Sequence, residues 1–187
     1  MKRTALLGLA GFVAAVSFTP IAHAQIEIEE TRTPVRVGLW YNAGAGMGSL
    51  GCSTCGGVRE NGFSATVTVG GSLGETFLLG GGGTFWTKTV NDTSLTVAIL
   101  DARFRFYLTK PQSNLFLTLG AGVGRISAGV GSAALDAELG TGFVFGAGYD
   151  FHVNRGLSIT PYVHWFGAKT ENLDANTVTA GLGITVH

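Results

Sequence analysis

From Val35 to the C-terminus, apolar residues recur at every second position in eight successive segments. That is the period of a β-strand, whose side chains alternate between two faces, and not the period of a helix. The first segment places Val35, Val37, Leu39, Tyr41, Ala43, Ala45 and Met47 on one face. Arg36, Gly38, Trp40, Asn42, Gly44 and Gly46 fall on the other. Phe63–Val69, Phe77–Phe85, Ala98–Leu108, Leu115–Val123, Leu139–Val153, Leu157–Trp165 and Val178–Val186 repeat the pattern. Leu95 to Ile99, at the head of the fourth segment, are apolar on both faces, which predicts a bulge or register shift there.

The connections alternate in character. Ser49–Asn61, Thr89–Ser94, Ser127–Ala137 and Lys169–Asn176 are longer or more polar, whereas Gly74-Glu75, Lys110–Ser113 and Asn154–Gly156 carry the residues of tight turns. Eight strands joined this way form an up-and-down meander with both termini at the short-turn end. An even-stranded antiparallel meander closes on itself and so removes its edges.

Charge placement decides which face looks outward. Arg36, Lys88, Asp101, Arg103, Arg105, Glu138 and Asp150 all lie on the polar face of their segments, and no charge lies on the apolar face. A soluble barrel would put the apolar face inside and leave a Gly/Thr/Ser surface to carry its solubility. A membrane barrel does the reverse. Phe77, Phe104, Phe106, Tyr149 and Phe151 gather near the short turns, and Phe63, Phe85 and Trp165 near the long loops. Two such belts suit the two interfaces of a bilayer. The predicted fold is all-β: an eight-stranded antiparallel up-and-down transmembrane β-barrel over 35–187, monomeric.

Composition agrees. Charged residues make up 13 % of the chain, against about 25 % in ordinary domains, and 30 of the 187 residues are Gly. Gly on the inward face gives room to opposing rings in a narrow barrel. The Gly80–Gly83 run lacks the Lys-Ser/Thr partner of a phosphate loop. The formal charge of zero argues against a nucleic-acid partner. Residues 1–24 read as a cleaved secretory signal peptide: Lys2 and Arg3, an apolar run from Ala5 to about Phe18, then Ala22-His23-Ala24. Their removal leaves ten basic and twelve acidic residues, a net charge of −2. Residues 25–34, with Glu27, Glu29 and Glu30, form a polar periplasmic lead-in.

With these features the chain resembles the small eight-stranded outer-membrane barrels of Gram-negative bacteria, the OmpX, Opa and OmpA-barrel group. The last segment, Thr179-Ala-Gly-Leu-Gly-Ile-Thr-Val186, is similar to that group's terminal Gly-x-Gly-aromatic-x-Phe pattern, with Ile184 and Val186 in the aromatic places and His187 added. The resemblance implies a Gram-negative outer-membrane resident with periplasmic turns and surface loops. It also implies contact with outer-membrane lipid and lipopolysaccharide, and with the barrel assembly machinery during insertion.

Three groups could carry chemistry. Cys52 and Cys55 in the first long loop suit a redox pair, half a metal site or a local disulfide. Without a second CxxC or a His pair the disulfide is favoured, and no metal or cofactor is expected. Asp150, His152, Tyr162 and His164 lie inward on adjacent strands, where a His could act as base. Lipid A deacylases of this architecture use a His with a Ser two residues on; here His164 is followed by Phe166 and His152 by Asn154. The motif fails, so His152 and His164 are assigned to an interior polar network with Arg36, Asp101, Arg103, Arg105, Glu138 and Asp150. Those charges could instead line a narrow pore, since the inward glycines leave space beside the rings. The expected function is a non-catalytic structural or surface-interaction protein of the outer membrane. The alternatives are a small porin-like channel and a lipid-modifying enzyme.

Overall fold

The computed structural model describes residues 36–53, 56–90, 93–108, 114–130, 133–154 and 156–187, with the backbone alone for 130 and 133–136. The predicted signal peptide 1–24, the lead-in 25–34, Val35 and Cys55 lie outside these residues. The strands are β1 (Leu39–Cys52), β2 (Glu60–Ser72), β3 (Phe77–Val90), β4 (Thr93–Tyr107), β5 (Leu115–Val130), β6 (Ala133–Tyr149), β7 (Phe151–Asn154), β8 (Leu157–Lys169) and β9 (Asp174–Val186). Consecutive strands pair antiparallel, and β1 pairs with β9, Tyr41 beside Val186. β6 and β7 are two stretches of one strand, interrupted at Asp150, and both pair with β8. The result is a closed eight-stranded antiparallel barrel, as the alternation predicts.

The two faces separate as expected. Leu39, Leu100, Leu139 and Leu182 project outward, Leu100 with 72 % of its surface exposed. The aromatic belts point outward too, and three pairs of their rings touch: Phe77 with Phe106 and Tyr149 with Phe151 at 4.7 Å near the end where β1 begins, and Phe63 with Phe85 at 6.0 Å towards the other end. A continuous apolar exterior of this extent suits hydrocarbon and would drive association in water. The soluble arrangement needs the reverse.

Three expectations are corrected. First, β4 keeps one register against both neighbours through Leu95–Ile99; the irregularity lies between Ala128 and Gly129 in the β5–β6 pairing. Leu95, Val97 and Ile99 are apolar because the bore is apolar at that level. Second, the strands run far into the segments read as long loops, pairing Leu50 with Glu60, Val90 with Thr93 and Val130 with Ala133. Backbone hydrogen bonding continues there after the apolar alternation has stopped. These extensions carry Arg125, Lys169 and Asp174 onto the outward register, beyond the belts, so the absence of outward charge holds only within the shorter segments. Third, Arg36 precedes β1. Gly38, at φ 96°, turns the chain and accepts a hydrogen bond from Ser72 N at 2.9 Å, and Arg36 enters the barrel mouth. A side chain at Gly38 would be strained in that conformation.

Candidate functional site

The interior is built in three storeys. At the end where β1 begins and β9 finishes, Arg36 lies with its guanidinium carbon 3.5 Å from the centre of the Tyr107 ring. Arg105 sits between Trp40 and Phe116, at 4.6 and 3.9 Å. Such stacking neutralises no charge but suits a weakly hydrated guanidinium enclosed by rings. Asp150 interrupts the strand to turn inward. Its carboxylate accepts hydrogen bonds from Tyr107 Oη and Thr160 Oγ1, each at 2.6 Å, and His187 Nε2 stands 3.8 Å away. Thr160 continues to Thr185 at 2.7 Å, and Asn42 Nδ2 donates to Thr185 Oγ1 at 2.8 Å.

In the middle storey Arg103 and Asp101 form a buried pair on one strand, at 2.9 Å. Arg103 directs its remaining donors to Thr66 (2.9 Å), Thr68 (3.0 Å) and Thr84 (2.9 Å) on the facing strands. The five donors of Arg103 are thereby engaged, whereas Asp101 Oδ1 meets no described hydrogen-bond partner. His164 lies beside it, 3 % exposed, with its ring 4.6 Å from Tyr162. Neither ring nitrogen meets a described hydrogen-bond partner.

The distal storey is carbon. Leu50, Trp86, Val97, Ile99, Ile126, Val144, Phe166, Ala168 and Ala175 pack together across the bore. Trp86 Nε1 donates to Gly48 O at 2.9 Å, the one polar group of the ring thereby satisfied. The strand alternation shows this plug only at Leu95, Val97 and Ile99, which make β4 apolar on both faces; Leu50, Trp86, Ile126 and Val144 stand singly in otherwise polar or glycine-rich registers.

Four of the inward glycines face large groups across the bore. A Cβ on Gly44 would lie 2.6 Å from the Tyr162 ring, on Gly148 2.4 Å from Phe116, on Gly62 2.7 Å from Trp86 and on Gly82 2.5 Å from Arg103. Each of these glycines is a socket already filled by the large group opposite.

The expected single network therefore divides. Asp101 with Arg103, and Asp150 with Arg36 and Arg105, form two clusters on different storeys. Glu138 belongs to neither. It stands at the distal rim and accepts hydrogen bonds from Thr170 Oγ1 (2.6 Å) and Asn172 Nδ2 (3.0 Å). Those bonds hold its carboxyl below the usual glutamate range. His152 is exposed in β7 at the mouth, so its assignment to the interior is corrected: the strand ends there and the ring reaches solvent. Cys52 is disulfide-bonded; Cys55 lies outside the described residues. No hydroxyl nucleophile is hydrogen-bonded to His164 or His152 among the described residues, and no three metal-ligating side chains cluster there. The rim carries further polar contacts: Lys88 with Glu60, Lys169 with Asp174 at 3.9 Å, and Arg59 with Asn176 at 3.0 Å.

The chain matches no protein-family model and no curated protein sequence. Among solved structures it is similar to Neisserial surface protein A, with a TM-score of 0.61 and 17 % identity over 79 % of this chain and 96 % of that one. It is also similar to Ail, the attachment invasion locus protein of Yersinia pestis, with a TM-score of 0.56 and 14 % identity over 80 % and 99 %. At such identities the shared property is the fold: the chain has the architecture of small outer-membrane barrels.

Proposed function

We propose that this protein resides in the outer membrane of a Gram-negative bacterium, reaches it by a cleaved signal peptide, and acts there without catalysis as a structural or surface-interaction protein. The observation that carries the proposal is how much of the bore large side chains fill. Charge pairs and stacked rings occupy one half and an apolar plug the other, while the exterior is shaped for lipid. What remains for meeting other molecules is the distal rim, where the strands rise past the belts. With the termini in the periplasm this rim faces the medium. The folds of Neisserial surface protein A and of Ail, named for surface location and attachment, support that orientation. Lipid and lipopolysaccharide surround the barrel in this reading, and the barrel assembly machinery receives its last strand during insertion.

The test has two parts. The refolded protein is expected to enter lipid vesicles and to migrate faster on a gel unheated than boiled. In planar bilayers it is expected to give no steady conductance. Open events that change with Arg103→Ala would favour a pore instead, and recovery from aqueous extract without detergent would overturn membrane residence. Altered lipid A on overexpression, abolished by His164→Ala, would favour the enzyme.

A further inference from the structure

The exterior is not uniformly convex. Between β1, β2 and β9 lies a groove of about 380 Å³ lined by Met47, Ser49, Asn61, Val178 and Ala180. Met47, Ser49, Val178 and Ala180 are on the outward register, paired Met47 beside Ala180 and Ser49 beside Val178. Phe63, which pairs with Met47, and Trp165, which pairs with Val178, put the groove at the distal aromatic belt. That is the level at which acyl chains give way to headgroups.

Directly above the groove Arg59 crosses the outside of β1. Its Nη2 donates to Ser49 O, its Nε to Ser49 Oγ at 3.2 Å and its Nη1 to Asn176 Oδ1 at 3.0 Å. A Cβ on outward-facing Gly51 would lie 2.8 Å from Nη1, so the guanidinium lies against the barrel wall. All three acceptors are neutral. No carboxylate pairs with Arg59 among the described residues, whereas Lys88 and Lys169 each have one. A fixed, uncompensated cation one step above an apolar groove complements a molecule with a hydrocarbon chain below and an anion above.

We infer that this groove and Arg59 bind a phosphate-bearing lipid of the distal leaflet, its acyl chain against Met47, Val178 and Ala180 and its phosphate on the Arg59 guanidinium. The inference rests on the membrane reading above and adds a specific site to it. Guanidinium suits phosphate because its planar donors meet two oxygens at once.

The experiment uses the full barrel in phosphatidylcholine nanodiscs doped with diphosphoryl lipid A, released and weighed by native mass spectrometry. One lipid A is expected to stay on the wild-type barrel, and its dephosphorylated counterpart is expected to be retained about tenfold less, the size of one lost charged hydrogen bond. Arg59→Gln and Ala180→Phe, which fills the groove with carbon, are each expected to cut retention similarly, while Arg59→Lys keeps part of it. Arg125→Gln removes an outward cation elsewhere on the rim and is expected to change nothing. Equal retention by Arg59→Gln and wild type overturns the site, and so does an equal loss with Arg125→Gln, which would be diffuse attraction. Inorganic phosphate that competes the lipid away would reduce the site to an anion site and overturn the lipid. The gel shift of each variant reports insertion independently, so a barrel that inserts without lipid preference sinks this inference alone. A wild type that never inserts sinks the membrane reading.

Discussion

In the middle of the barrel Arg103 directs all five of its donors at Asp101, Thr66, Thr68 and Thr84. One storey further out, Trp86, Val97, Ile99, Val144 and Phe166 fill the same bore with carbon. Both closures are dense, but they fail differently. A carbon plug that loses a side chain gains a cavity, and its neighbours can partly relax into it. A charge plug that loses a partner keeps an ion in a place built to neutralise it. The polar storey is therefore the more brittle of the two.

The largest effect is expected from breaking that storey. Asp101→Ala leaves Arg103 buried without its carboxylate and should cost about 3–5 kcal/mol in denaturant unfolding from micelles. The double variant Asp101→Leu/Arg103→Met should recover most of the loss. If it is no better than the single change, charge is not what makes the storey brittle. Leu50→Ala, in the carbon storey, should cost about 2–3 kcal/mol by the same measurement, and should leave the Asp101–Arg103 pair intact. A glycine pair sharpens the contrast. A Cβ on Gly120 would stand 2.2 Å from Asp101 Oδ2, and one on Gly142 2.8 Å from the Ile99 methyl. Gly120→Ala should destabilise by about 1–3 kcal/mol and exceed Gly142→Ala, since its clash is the closer one and falls on a carboxylate held by Arg103. A reversed order would show that wall geometry outweighs the chemistry of the plug.

The smallest effect lies outside both storeys. Glu138 has a folded pKa below its unfolded one, so its contribution is present above the ordinary glutamate range and is lost as pH falls through the folded value. The Thr170–Leu173 turn that Glu138 helps hold should loosen in acid, seen as shifting amide resonances of Thr170 and Leu173. Glu138→Gln should abolish that pH dependence while the middle of the barrel stays unchanged.

How much of this is legible without coordinates follows from what alternation measures. It reports which side of a strand meets hydrocarbon, so it finds the outward face of β1 from Leu39 to Met47 and the inward place of Arg103 and Asp101, two residues apart on one face. It falls silent where lipid ends. Ser49 and Asn61 pair across β1 and β2 with no apolar signal to mark them, which is why the strands outrun their expected ends. It is equally silent about depth. Tyr107 and Asp150 meet only because of the stagger between strands, and nothing local to either residue encodes that meeting. His152 shows the same blindness: its parity is right, but it sits too close to the rim to be covered.

The seam that sets Tyr41 beside Val186 has a consequence in time. Seven of the eight barrel junctions join neighbours along the chain and can form as hairpins do, each within reach of its own turn. The eighth joins the first strand to the last. Until it forms, β1 and β9 each present an open ladder of unpaired amides and carbonyls, the species most prone to pair with the wrong chain. Closure is thus a single long-range event that must wait for the final strand, and topologies dominated by such events are slow to complete. In this barrel the hazard of assembly is concentrated in one late step rather than spread along the chain.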